Sequence, residues 1–171
     1  MALFSSFKRE EPMDEGPPKW PLDLVRFRIG PHGLGETPDS GSLWGRLMQA
    51  HAVCRPEGAG VEIGLVDGRV DSVFVEVDDF KGGFLRDGES CELGPRSTVG
   101  EIQQLFGEPY WTDRSDGEVI LFYEFRRGAV ELQFEFPDGE RLGFVTLSRD
   151  GVMSDAAQRA AYGCDLPWPP A

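Results

Sequence analysis

Two stretches of this chain carry the same pattern, and that repetition restricts the possible folds more than any other sequence feature. Residues 61–77 read VEIGLVDGRVDSVFVEV, and residues 130–147 read VELQFEFPDGERLGFVTL. Both begin with Val-Glu, alternate apolar and polar residues, turn at Asp-Gly and alternate again. Each follows an apolar stretch of helical period, at residues 43–53 and Val99–Phe106. Such self-similarity predicts a duplicated unit made of a helix and an antiparallel sheet.

The duplicated unit predicts an α+β fold in a single domain. We assign residues 20–171 to that domain, with repeats at about 22–79 and 93–150 that share one core, followed by a short C-terminal helix and an irregular tail. Residues 1–19 show no periodicity and carry Ser, Lys, Glu and Pro. They are therefore predicted to form a flexible N-terminal arm.

Alternation of apolar and polar residues predicts the individual strands. Residues 22–29 read LDLVRFRI and are predicted to form one half-buried strand, whereas residues 84–96 are expected to be a polar, Gly-rich connection. In the second repeat, residues 119–125, 130–136 and 142–147 are separated by short turns. They predict a three-stranded meander with one face on the helix and the other in water.

The helix of the second repeat has clear signals at both ends. Thr98 followed three residues later by Glu101 predicts a capping box, in which each side chain accepts a backbone N–H that the first turn leaves free. Gly107 tolerates the left-handed conformation that commonly ends a helix, and Pro109 prevents continuation. In the first repeat, Ser42 is the predicted cap.

The charge of the chain restricts its partners. It has 30 acidic and 17 basic residues, which gives a net charge of −13. Such a surface repels nucleic-acid phosphates and anionic lipid and attracts basic partners. We find no segment of about 20 apolar residues that would span a membrane and no secretory signal. A cytoplasmic protein with reduced thiols at Cys54, Cys91 and Cys164 is expected.

No pattern of residues indicates catalysis, a metal ion or a cofactor. The only histidines, His32 and His51, are outside any zinc-binding spacing. The acidic cluster Glu76, Asp78 and Asp79 at a predicted strand end leaves a small hydrolase open as an alternative. That chemistry needs two carboxylates in one cleft with pKa values pushed apart.

The outward face of the predicted meander provides a candidate binding surface. Three polar side chains alternate along its middle strand, a further Glu lies on the strand before, and two aromatic residues follow the helix. Aromatic anchors in an acidic field suit an interface with a basic protein. The predicted contact residues are Glu124, Glu131, Gln133, Glu135, Tyr110 and Trp111, together with the cluster Glu76, Asp78 and Asp79.

The second repeat resembles a widespread bacterial pattern. Residues 93–109 read LGPRSTVGEIQQLFGEP, and the strands that follow close with FPDGERLGFVTL. This arrangement is similar to the helix-plus-meander unit of SmpA/BamE-like proteins, whose duplicated form occurs in the β-lactamase inhibitor protein. It also resembles acidic immunity proteins encoded beside bacterial polymorphic toxins. The resemblance implies a fold more than a function.

Together these observations predict a protein that binds another protein without catalysis. The sharpest hypothesis is an immunity protein that neutralises a bacterial toxin by occluding its basic active site. A secretion-system adaptor or chaperone, which would bind an effector without silencing it, and the hydrolase are the alternatives. A deep pocket around the acidic cluster would favour the enzyme, and a shallow acidic face would favour the binder. A monomer or weak homodimer is expected.

Overall fold

The computed structural model describes residues 19–170, and in them the chain forms the predicted α+β fold with two sheets and three helices. The predicted N-terminal arm lies almost wholly outside the described residues. The strands are β1 (Leu22–Asp23), β2 (Arg28–Ile29), β3 (His32–Gly33), β4 (Val53–Cys54), β5 (Val61–Val66), β6 (Arg69–Glu76), β7 (Phe84–Arg86), β8 (Glu89–Cys91), β9 (Trp111–Asp113), β10 (Val119–Phe125), β11 (Val130–Phe136) and β12 (Phe144–Arg149). The helices are α1 (Leu43–Ala50), α2 (Val99–Phe106) and α3 (Ala156–Ala161).

The two predicted repeats join into one large sheet. Its seven strands lie in the order β4-β5-β6-β12-β11-β10-β9. Strands β6 and β12 pair antiparallel, with Val75 opposite Val145 and Val73 opposite Leu147. The last strand of each repeat therefore provides the junction, and both repeats bury apolar residues on the same face. The second repeat contains four strands, because β9 precedes the predicted three.

A smaller sheet replaces the single strand predicted at residues 22–29. Its strands lie in the order β3-β2-β1-β7-β8. The prediction was wrong because the Asp23 carboxylate accepts the backbone N–H groups of Val25 and Arg26 at 3.1 and 2.9 Å. That arrangement closes a turn, and Phe27 has a φ of +54°. Residues 22–29 therefore form a hairpin that lies in the smaller sheet.

The smaller sheet also takes up part of the segment predicted to be a polar connection. Strands β7 and β8 form a hairpin around Asp87-Gly88, and β7 runs parallel to β1. The amides of Asp87 and Gly88 donate to the same Asp23 carboxylate at 3.2 and 2.7 Å. Burial opposes ionisation of Asp23, but its four backbone N–H donors hold the pKa below its ordinary value.

Helix α1 is shorter than predicted. Ser42 caps it as expected, since its Oγ accepts the Gly45 N–H at 2.9 Å. The helix ends at Ala50, and Val53–Cys54 forms an edge strand of the large sheet instead. His51 already has extended backbone angles, and the β-branched Val53 favours the strand that continues from it. The last helix begins after Asp155 rather than at Ser154.

Helix α2 has the predicted bounds and the predicted capping box. The Thr98 N–H donates to Glu101 Oε2 at 2.7 Å, and the Glu101 N–H donates to Thr98 Oγ1 at 3.4 Å. We expect Thr98→Ala to lower the free energy of unfolding by about 1 kcal/mol, because the Glu101 N–H loses its acceptor and the Glu101 carboxylate loses the hydroxyl that donates to it. Urea denaturation measures this change. Ser40→Ala in an exposed loop is the control, and an equal effect of both substitutions would contradict the role of the cap.

The main core lies on one face of the large sheet. Helices α1 and α2 and the smaller sheet cover this face, where Phe106 of α2 packs against Phe134 with ring centroids 5.4 Å apart. The central buried residues include Ile63, Val73, Val75, Ile102, Leu121, Leu132, Phe134, Val145 and Leu147.

The opposite face is only partly covered. A segment after β12, residues 152–170, runs across β9, β10 and β11; we call it the C-terminal segment. Phe122 on the sheet and Met153 and Cys164 in this segment form a second, small buried cluster. No part of residues 19–170 gives such a cover to the rest of the face, on β5, β6 and β12. The prediction that the meander exposes one face to water is therefore correct only for part of the sheet.

Candidate functional site

The uncovered part of the large sheet has an ordered arrangement of acidic and aromatic side chains. Along one cross-strand row, Glu62 lies opposite Phe74. Along the next row, Phe144 lies between Glu76 on one neighbouring strand and Glu135 on the other. We call Glu62, Phe74, Glu76, Glu135 and Phe144 the acidic-aromatic patch. Each aromatic ring in it has a carboxylate as its direct cross-strand neighbour.

The two aromatic rings of the patch stack on each other. Their centroids are 5.3 Å apart with an interplanar angle of 26°, and Phe74 is 37% exposed. Phe74 alternates with the buried residues Val73 and Val75, and its side chain therefore points away from the core. Aromatic residues placed together on a polar face provide the apolar centre that protein interfaces commonly have.

The carboxylates of the patch differ in their surroundings. Glu62 forms an ion pair with Arg55. Glu76 is exposed and forms no ion pair within the described chain. Burial, and then the negative charge of Glu118, raise the pKa of Glu135. A cation brought close to Glu135 and Glu76 would therefore find negative charge that no described basic residue neutralises.

Two shallow grooves flank the patch and meet at Glu76. The first, of about 340 Å³, passes between Glu76, Asp78 and the ion pair of Asp138 with Arg141, beside the ring of Phe144. The second, of about 400 Å³, passes between Glu62, Glu76 and Asp79, beside Phe74. The predicted acidic cluster Glu76, Asp78 and Asp79 is exposed along these grooves. This geometry is a shallow acidic face with an aromatic centre.

The structure does not place Glu131 and Gln133 on an open surface. Glu131 is 0% exposed and Gln133 is 7% exposed, because the C-terminal segment lies over them. The alternation predicted their face of the sheet correctly. Their exposure to solvent depends on whether the C-terminal segment packs over them. The alternation within a strand gives no information about that packing. Among the four polar meander residues predicted to contact a partner, Glu135 alone borders a groove on the uncovered part of the face.

Tyr110 and Trp111 contact the C-terminal segment instead of standing free. The Tyr110 hydroxyl donates to the carbonyl oxygens of Leu166 and Pro167 at 3.3 and 3.1 Å, and its ring meets Trp168 edge-on at 5.8 Å. Trp111 begins β9 and packs against the small cluster under the segment. Both aromatic residues therefore hold the cover in place.

Glu124 and Glu131 form a carboxyl pair under the C-terminal segment. They lie directly opposite each other on β10 and β11. Glu131 accepts the backbone N–H groups of Val152 and Met153 at 2.9 and 2.7 Å, and also the Gln133 amide. Burial, and then the hydrogen bond to Glu131 and its charge, raise the pKa of Glu124 to about 9.

The histidines do not form a site with other residues. His32 is buried against Trp20, with ring centroids 5.0 Å apart, and burial lowers its pKa. His51 is exposed at the end of α1. Within residues 19–170, no three His, Cys, Asp or Glu side chains are grouped as metal ligands, and no helix combines the length and apolarity needed to cross a bilayer.

Sequence reasoning missed the three residues that complete the patch, namely Glu62, Phe74 and Phe144. A signal for the aromatic pair exists. Phe74 occupies the position between the buried Val73 and Val75 where the alternation predicts a polar residue. Phe144 likewise occupies a polar position, next to the buried Val145. Two out-of-phase aromatic residues on paired strands indicate an apolar feature on the polar face.

Comparison with protein-family models, curated proteins and solved structures gave no significant match.

Proposed function

We propose that this protein binds a basic protein partner without catalysis, through the acidic-aromatic patch. The observation that supports the proposal is the stacked pair of the exposed Phe74 and the half-buried Phe144, which lies among carboxylates on an uncovered sheet face. The sharper form of the proposal is an immunity protein that acts in the cytoplasm and occludes the basic active site of a bacterial toxin.

Charge complementarity favours a basic partner. The net charge of −13 produces an attractive field for cations and accelerates association with them. At the patch, a Lys or Arg side chain can lie over Phe144 while Glu76 and Glu135 flank it. A toxin that acts on nucleic acid or a nucleotide carries such cations in its substrate site. Blocking that site requires only steric occlusion.

The form of the acidic cluster favours binding over hydrolysis. Glu76, Asp78 and Asp79 are exposed side chains beside shallow grooves. Acid–base catalysis by paired carboxylates requires a cleft that separates their pKa values, and enzyme sites usually bury most of a small ligand. A shallow face suits the flat surface of a protein.

Co-expression with the products of neighbouring genes tests the proposal. We expect one product to be toxic alone and tolerated when this protein is present, and the purified pair to form a complex that weakens at high salt.

Phe74→Ala should weaken the complex by about thirtyfold, which corresponds to about 2 kcal/mol at an aromatic anchor. Calorimetry on the purified proteins measures this loss.

A matched control separates a local effect from one of total charge. Glu76→Gln removes one negative charge from the patch, and Glu89→Gln removes one from the exposed strand β8 of the smaller sheet. Only the first should reduce affinity and restore toxicity. Equal effects would show that net charge alone attracts the partner. Binding without rescue would rule out immunity and favour an adaptor.

A further inference from the structure

Within the described residues, the C-terminal segment is attached to the rest of the protein only outside the main core, through the small cluster, the hydrogen bonds to Glu131 and the contacts of Tyr110 with Leu166, Pro167 and Trp168. Its helix α3 contains no buried residue, and the segment contributes the buried Met153 and Cys164 and the partly buried Val152, Tyr162 and Trp168 to the small cluster. The main core lies on the other face of the sheet. Arg159 donates to the carbonyl oxygens of Met153 and Ser154 and so holds the segment's own shape. Release of the segment would therefore leave the main core intact.

The strongest polar attachment of the segment is the carboxylate of Glu131. It receives the N–H groups of Val152 and Met153, which begin a 3-10 turn. Three donors in all point to Glu131. By contrast, both carboxyl oxygens of Glu124 are buried, and no N–H or O–H group of the described residues donates to either.

This difference identifies which carboxyl group carries a proton. A buried carboxylate without donors is costly, and two adjacent buried carboxylates cannot both be charged without strong repulsion. Glu131 already accepts three N–H donors and is therefore the acceptor of the pair. Glu124 then provides the missing donor, since its protonated carboxyl group can donate to Glu131.

We propose that the C-terminal segment is a displaceable cover of the large sheet, and that the proton shared between Glu124 and Glu131 holds it in place. Loss of that proton places two negative charges together under the segment. The segment then separates from the sheet, which lets water reach both carboxylates.

The direction of the pH dependence follows from the proton balance. In the docked state, burial and the adjacent Glu131 raise the pKa of Glu124 from its ordinary 4.5 to about 9. Water that enters on displacement lowers this pKa, so the docked state binds more protons than the displaced state between these values. Docking is strongest at acidic pH and weakens as the pH rises, by up to about tenfold per pH unit. The other titratable groups that face Glu124 are Glu131, Cys164 and Tyr110, and burial raises the pKa of Tyr110 to about 12.

Displacement would change the surface available to a partner. It would uncover Phe122 and Trp111, which lie on the same face as Phe74 and Phe144. The uncovered residues would extend the acidic-aromatic patch across the sheet. This consequence depends on the proposed function, whereas the displacement itself does not.

Hydrogen exchange resolved by peptide tests the proposal without any partner. Between about pH 6 and about pH 8.5, protection of residues 152–164, corrected for intrinsic exchange, should fall by up to about tenfold per pH unit. Protection of β6 and β12 should not fall in parallel. In Glu124→Gln, which retains a neutral donor, protection of the segment should stay high and independent of pH.

Two controls identify the titrating group. Glu62→Gln makes the same chemical change on the uncovered part of the face and should keep the pH dependence of the parent protein. Cys164→Ser removes the thiol and should also keep it. Constant protection in the parent protein, the same fall in Glu124→Gln, or equal loss from β6 and β12 would overturn the proposal.

Discussion

Replacing Phe134 by Ala is expected to lower the free energy of unfolding by about 4 kcal/mol. Phe134 is 0% exposed at the centre of β11. Its ring centroid lies 5.4 Å from that of Phe106 and 5.9 Å from that of Tyr123, so it joins α2 to the sheet. Removing the ring leaves a cavity that neighbours on a rigid sheet cannot close. Urea denaturation at neutral pH measures the loss.

Phe74→Ala is the matched control, because it removes the same ring from the other face of the same sheet. Phe74 is already partly in water, and its substitution should cost less than about 1 kcal/mol in stability. It should nevertheless weaken partner binding. If both variants lost equal stability, Phe74 would be a core residue, and its assignment to a binding surface would be wrong.

Replacing Glu131 by Ala is expected to lower the free energy of unfolding by about 3 kcal/mol. The substitution leaves the buried N–H groups of Val152 and Met153 without their acceptor. It also removes the acceptor to which the carboxyl group of Glu124 donates. Chemical denaturation measures the stability, and hydrogen exchange should show that protection decreases first in the C-terminal segment.

Glu135→Ala provides the comparison, four residues away on the same strand and face. Glu135 lies outside the C-terminal segment's hydrogen bonds and borders a groove. Burial raises its pKa, so removing it relieves a desolvation cost instead of breaking bonds. We expect it to be neutral or slightly stabilising. A loss equal to that of Glu131→Ala would assign the effect to sheet propensity and not to the buried carboxylate.

Local signals were sufficient for the elements that depend on neighbouring residues. The capping box at Thr98 and Glu101, the bounds of α2, and the strands β10 and β11 were predicted correctly. Each depends on interactions within a few residues or on simple alternation. The α+β class follows from them.

The smaller sheet escaped prediction because its strands have two or three residues. Periodicity has no meaning over so short a length, and β1 finds its parallel partner β7 some sixty residues later. One local signal was present, because Asp87-Gly88 is a favoured hairpin turn pair. The role of Asp23, which joins two turns from distant parts of the chain, has no counterpart in local pattern.

The sequence alone determined which side chains share each face over most of the large sheet, because side chains alternate along a regular strand; the alternation breaks at the irregular pairing of β5 with β6. Only the tertiary structure decided which residues of a face meet water. Glu131 and Glu76 both point to the polar face, yet one is buried under the C-terminal segment and the other is exposed. Exposure depends on what packs against a face from a distant part of the chain, and alternation carries no information about that contact.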